Sequence, residues 1–258
     1  MHSTTHFWGW EVPLDIFLGG IAAGIMIISA TAVRPAEARS RAVRLLPFMA
    51  PLAISAAMLA LFLDLGNKLH AFRFFTAFRV TSPMSWGSWI LLFVYPATIL
   101  YGLKPESTFL RRANLVLGIA LGTYAGVLLH SLSLARPAWS SIVIVPLFLA
   151  AAVVSGAAAC KLMPIDGEEH ACICKWLVAA IIAELGLLFA YLNDVRGAFA
   201  AVAPVMWSLV IVGGLAVPLL METFELRRRV RAAPIAPALI LAGGLALRFI
   251  VVFAGETP

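Results

Sequence analysis

Five side chains able to donate, accept or exchange protons stand where a chain this apolar has few of them: Asp15, Asp64, Tyr124, His130 and Arg248. An acid or arginine at the middle of an apolar helix costs roughly 2.5–3.5 kcal/mol to insert in lipid, so such groups usually face an interior and have a role there. Together the five could hold a small polar headgroup with an apolar tail. A quinone fits. Its carbonyls need donors such as tyrosine or histidine, and its redox cycle needs two protons. Histidine changes charge near neutral pH unaided, and a carboxylate does so once desolvated. The same residues also allow a purely structural reading, in which an Asp15–Arg248 or Asp64–Arg248 ion pair ties helices together. Further ionisable groups are Glu184, near the middle of an apolar stretch, and Glu222 and Glu225 at the end of another.

Metal chemistry is poorly served. A membrane b-type haem takes axial histidines projecting inward from helices, yet His2, His6, His70 and His170 fall in expected loops or the tail. Only His130 falls on an expected helix, so a bis-histidine haem would have to recruit His70, and no haem is expected. Cys160, Cys172 and Cys174 are three thiols where an iron–sulfur cluster wants four. His170-Ala-Cys172-Ile-Cys174 lacks a usual zinc spacing, so buried apolar cysteines and no metal are expected.

The elements that must position these residues follow from composition. The chain has 258 residues, 62% hydrophobic and only 12% charged, with a mean hydropathy of +0.97. Soluble domains carry about 25% charged residues, so this chain is built for lipid. Apolar runs are continuous where a lipid-facing β-barrel would alternate. Every backbone polar group in lipid must be paired internally, which makes each run a helix. Eight are expected, at about 11–33, 45–64, 84–103, 113–134, 141–162, 175–193, 199–221 and 234–254. The fold class is therefore all-α, a polytopic membrane protein forming one integral membrane domain over 1–258. Eight spans use nearly the whole chain and leave no room for a soluble catalytic domain. Two four-helix bundles are expected from the helix count. No Lys or Arg precedes the first apolar run, so no cleavable signal peptide is expected.

Orientation follows from basic residues. The connections after helices 1, 3, 5 and 7 hold 13 Lys/Arg, Lys161 and Lys175 among them, against 5 on the other side. The positive-inside rule then places both termini outside the cytoplasm. The pI near 9.7 reflects these cytoplasmic rims and calls for no nucleic acid. The one long connection, 65–83, is aromatic and basic. It reads either as an interfacial segment with phenylalanines in the headgroups or as a lip and docking surface over a site. LGGIAAGI at 18–25, VGGLAVPL at 212–219 and AGGLALRF at 242–249 share small residues that permit close helix approach.

Several stretches resemble the NrfD/polysulfide-reductase family of membrane subunits. They are Trp8-Gly9-Trp10 leading into Phe17-Leu18-Gly19-Gly20-Ile21-Ala22-Ala23-Gly24, and Asp64-Leu65-Gly66 followed by Thr81-Ser82-Pro83-Met84-Ser85-Trp86-Gly87-Ser88-Trp89. Tyr124-Ala125-Gly126-Val127-Leu128-Leu129, Arg136-Pro137-Ala138-Trp139 and Gly243-Gly244-Leu245-Ala246-Leu247-Arg248 extend the likeness along the whole chain. The resemblance implies an eight-helix, quinone-binding anchor of a respiratory complex in a bacterial or archaeal cytoplasmic membrane. It implies an exchangeable menaquinone or ubiquinone near the outer face. It also implies a ferredoxin-like iron–sulfur subunit as partner and, through it, a molybdopterin catalytic subunit, so those cofactors belong to the partners. Carried onto this sequence, the hydroxyl near the quinone is Tyr124 and the helix-1 polar group is Asp15, where some relatives have histidine. Asp64, His70, His130 and Arg248 complete the expected pocket. The subunit would oxidise quinol or reduce quinone; quinol oxidation toward the iron–sulfur subunit is the expected direction, which sequence alone does not fix. Two other functions are carried alongside. One is a small-solute or ion transporter using Glu184, Asp64 and Arg248, although no paired pattern of broken helices emerges in the two halves. The other is an anchor without quinone, which would not need the outward Asp, Tyr and Arg.

Overall fold

The computed structural model describes residues 8–64, 83–133, 136–165, 167–195, 197–228 and 234–256. Among these residues there is no strand, and eight helices are long and apolar enough to cross a membrane. They are α1 (Glu11–Thr31), α2 (Arg41–Asp64), α3 (Pro83–Leu103), α4 (Thr108–Ser131), α5 (Ile144–Lys161), α6 (Gly167–Asp194), α7 (Ala200–Arg228) and α8 (Ile235–Glu256). The chain is a multi-pass, all-α membrane protein. The connection at 65–82, with both readings given for it, lies outside the described residues.

The largest shift from the sequence expectation is α6, which begins at Gly167 and not near 175. Its first two turns, GEEHACICK, fall below an apolar threshold, yet Glu168 and Glu169 suit the positive end of the helix dipole. This corrects the placing of His170, which is helical. α4 likewise starts early because Ser107 caps it, its side chain accepting from Leu110 N at 3.4 Å. α2 starts at Arg41, one turn before its apolar run. α7 is not one uniform helix. A 3₁₀ turn at Ala200–Val202 and a short α turn lead into a π-helix over Met206–Ala216, and the α-helix resumes at Val217–Arg228.

α1 and α5 are the most buried spans, at 61% and 67% of their apolar windows against 33% for α3. α1 packs on α2, α4, α5 and α8, and α5 on α1, α4, α6 and α8. Their backbones cross at Gly24 and Gly156, where a Cβ on either would collide with the other helix's main chain. Lipid tails are as apolar as leucine, so close approach of small residues supplies the attraction that water would otherwise provide.

Proline-freed carbonyls are answered from neighbouring helices. Pro51 has no N–H to give the carbonyl of Pro47, and the Thr98 hydroxyl of α3 donates to that oxygen at 2.8 Å. Tyr101 Oη donates to Ser29 O at 3.0 Å and Asn114 Nδ2 to Met26 O at 3.0 Å, so α3 and α4 are keyed to α1.

Candidate functional site

The first turns of α1, the last turns of α2, the start of α3, the second half of α4, the start of α5 and the second half of α8 line a cavity of about 170 Å³. Asp15 sits four residues into α1, Tyr124 seven residues before the end of α4, and Arg248 eight residues before the end of α8. Because α1 runs opposite to α4 and α8, these positions fall at one end of the bundle. The rest of the lining is mostly apolar, including Val12, Ile54, Leu121 and Phe148. Three of the six expected site residues therefore come together.

The other three do not join them among the described residues. His130 stands outside the lining, with Nδ1 at 3.2 Å from the Trp139 carbonyl oxygen, and so helps hold the short 3₁₀ turn Pro137–Trp139. Asp64 closes α2, but its side chain and all of His70 lie outside the described residues. Two lining residues that the sequence reading did not place in the site are Trp8 and Gly87. Trp8 stacks on Trp139 with ring centroids 5.4 Å apart, and Trp139 Nε1 donates to Val251 O at 2.9 Å, fixing the rim to α8. Gly87 gives the Tyr124 ring its place, since a Cβ there would overlap the phenol. The Ser-Trp-Gly run that marked α3 thus contributes by what Gly87 lacks.

The polar groups of the cavity have capacity to spare. Neither Asp15 nor the Tyr124 hydroxyl has a hydrogen-bond partner among the described residues, and no Asp15–Arg248 ion pair forms there. The structural tie considered for Asp15 is therefore absent. Arg248 is buried, its Nη1 donates to Gly244 O at 3.0 Å, and its guanidinium lies 5.8 Å from the ring centres of both Phe17 and Phe148. Its Nε is buried with no partner among the described residues. A buried donor in that condition calls for water or a ligand. The arrangement offers a phenol, a guanidinium and a carboxyl group around an apolar slot, which fits a carbonyl-bearing ring with a hydrocarbon tail.

The cysteines separate into different environments. Cys160 is buried in the apolar core, as expected. Cys174 is not an apolar cysteine. Its Sγ lies 3.0 Å from Lys161 Nζ and donates to Glu222 Oε2 at 3.2 Å, within a buried group that also holds Glu225 and His170. Lys161, counted from sequence among the inner rim cations, is buried there. Sequence spacing could not reveal this group, because it is assembled from three helices.

Comparison with known proteins agrees with the geometry. Residues 1–257 match the family described as "Polysulphide reductase, NrfD". The C subunit of polysulfide reductase from Wolinella succinogenes is 24% identical, over 98% of this chain and 95% of that one. Protein NrfD of Escherichia coli K12 is 25% identical, over 99% of this chain and 96% of that one. With eight spans, a cavity built from its sequence motifs and a match along nearly its full length, this chain belongs to the NrfD polysulphide-reductase family.

Proposed function

We propose that this chain is the quinone-reactive membrane subunit of a respiratory oxidoreductase complex. It exchanges electrons between the membrane quinone pool and an iron–sulfur subunit that serves a molybdopterin catalytic subunit. The observation that carries the reading is the cavity in which Asp15, Tyr124 and Arg248 converge with hydrogen-bonding capacity unspent. That one relative is named as the C subunit of a reductase supports a complex of several polypeptides.

A bound menaquinone or ubiquinone supplies two-electron, two-proton chemistry. The chain's residues hold and orient it. The Tyr124 hydroxyl donates to one ring oxygen, and the Arg248 guanidinium supplies positive charge and a second donor. Asp15, at the end of the cavity nearest the helix termini, accepts or returns a proton. The apolar lining admits the tail and excludes bulk water, which strengthens each polar contact. The site lies on the extracytoplasmic side in the orientation set by the basic residues.

Mass spectrometry of the gently purified complex tests the assignment. The expected result is an iron–sulfur polypeptide, a molybdopterin polypeptide and co-extracted quinone. Recovery of this chain alone, without quinone, would count against it.

A further inference from the structure

Away from the cavity, the described residues gather metal-ligand side chains where α5 and α7 end and α6 begins. His170 and Cys174 are four apart on α6, and Glu222 and Glu225 are three apart on α7, so each pair shares a helix face. His170 Nε2 stands 2.6 Å from Glu225 Oε1, and Cys174 Sγ stands 3.7 Å from the same oxygen. Cys174 Sγ is also 3.2 Å from Glu222 Oε2. One ligand atom from each of His170, Cys174 and Glu225 falls within 4.8 Å of the others. All four residues are buried.

An imidazole, a thiol and two carboxylates are the side chains that bind zinc. A tetrahedral zinc ion with bonds of about 2.0–2.3 Å sets its ligand atoms roughly 3.3–3.8 Å apart. The separations here lie on either side of that range, and shifts of about 1 Å or less would bring them into it. A cation already sits among these groups. Lys161 Nζ is 3.0 Å from Cys174 Sγ and donates to Glu222 Oε2 at 2.5 Å and to Glu225 Oε2 at 3.0 Å. An ion-paired tie accounts for the ammonium and the carboxylates. It gives the thiol and the imidazole no role, and it leaves Glu222 Oε1 and His170 Nδ1 buried with no partner among the described residues. Buried polar atoms nearly always have partners.

We propose that His170, Cys174, Glu222 and Glu225 form a binding site for a thiophilic divalent cation of the zinc class, which takes the place of the Lys161 ammonium. The charges balance. A divalent ion enters, the ammonium withdraws, and the Cys174 proton passes to water as its S–H bond gives way to a metal–sulfur bond. With His170 neutral, two positive charges leave for the two that arrive. The buried group keeps its net charge and avoids the cost of an uncompensated ion. Lys161 is the last residue of α5, and its flexible stem lets the displaced ammonium reach the interface. Magnesium and calcium are excluded, because they want oxygen shells and have little affinity for sulfur. The bound ion bonds α6 directly to α7, a link the ammonium otherwise makes from α5. The site does not depend on the quinone reading of the cavity.

The test uses the subunit purified with its partners, depleted of zinc by a chelator and kept in excess Mg²⁺. Zn²⁺ is buffered at set free concentrations, and bound zinc is counted by elemental mass spectrometry. The wild type is expected to bind one zinc ion that Cys174→Ser and His170→Ala each hold about a hundredfold more weakly. Lys161→Met lacks the competing ammonium and is expected to bind zinc about tenfold more tightly. X-ray absorption at the zinc edge of the wild type needs no variant and decides the matter should the variants fail to assemble. It is expected to show one sulfur at about 2.3 Å, with nitrogen and oxygen at about 2.0–2.2 Å. A shell with no sulfur, or with several, would place the zinc elsewhere and overturn the proposal. So would a wild type that takes up no zinc, equal uptake by Cys174→Ser, or an unchanged affinity in Lys161→Met.

Discussion

Tyr124 is held by packing, not by a bond. Its ring lies against the bare backbone of Gly87, and its hydroxyl has no protein partner among the described residues. Tyr124→Phe therefore keeps the shape of the cavity and removes one donor, worth about 0.5–1.5 kcal/mol net. Quinol turnover by the purified complex is expected to fall about two- to tenfold with assembly intact. A fully active variant would place the hydroxyl outside the reaction. Asp15→Asn keeps size and hydrogen bonding but cannot exchange a proton. It is expected to lower turnover more than it weakens quinone binding, measured by inhibitor or quinone titration. Loss of assembly, with normal turnover in whatever complex survives, would make Asp15 a structural residue.

At the scale of the element, α1 carries both the site and the fold. Its first turns present Asp15 to the cavity, and its middle presents Gly24 to the backbone of α5. A side chain at that crossing forces the helices apart, and overpacking typically costs about 1–3 kcal/mol. Gly24→Val is expected to lower the melting temperature of the purified complex or abolish its recovery. Gly186 is the matched comparison. A Cβ there meets nothing within 4 Å, so Gly186→Ala is expected to leave stability unchanged or raise it by up to about 1 kcal/mol through helix propensity. Equal effects at both positions would show that the crossing does not depend on close approach.

For the whole molecule, an even number of spans puts both termini on one side, and the positive-inside rule applied to the basic rims predicts an extracytoplasmic side for them. Reporter fusions at Pro258 are expected to be active only in an extracytoplasmic reporter; a cytoplasmic signal would move the cavity to the opposite face. The two helical histidines of known surroundings sit at opposite ends of their spans. His130 lies near the C-terminal end of α4 beside the Trp139 carbonyl, and His170 near the N-terminal end of α6 beside Glu225. They cannot share one metal. A reduced-minus-oxidised spectrum of the isolated subunit is expected to lack a b-type α-band, and a clear band would make His70 the first residue to test as a ligand.

Sequence by itself determined the eight helices, because lipid forces continuous apolar runs to satisfy their own backbone. It also determined the family, and Asp15, Tyr124 and Arg248, legible as costly groups in apolar surroundings, line one cavity. Helix ends were less legible. The first turns of α4 and α6 are held by a cap and by polar residues suited to the interface, which an apolar reading leaves out. What only the tertiary structure decided is which polar groups meet. Arg248 faces the cavity without pairing with Asp15, and His130 serves a turn. Lys161 joins acids 61 and 64 residues away, turning an expected rim cation and an expected apolar cysteine into one buried polar group. Spacing along a chain records which face of its own helix a residue occupies. Which other helix lies opposite that face is set by how small residues such as Gly24 and Gly156 let the backbones close together.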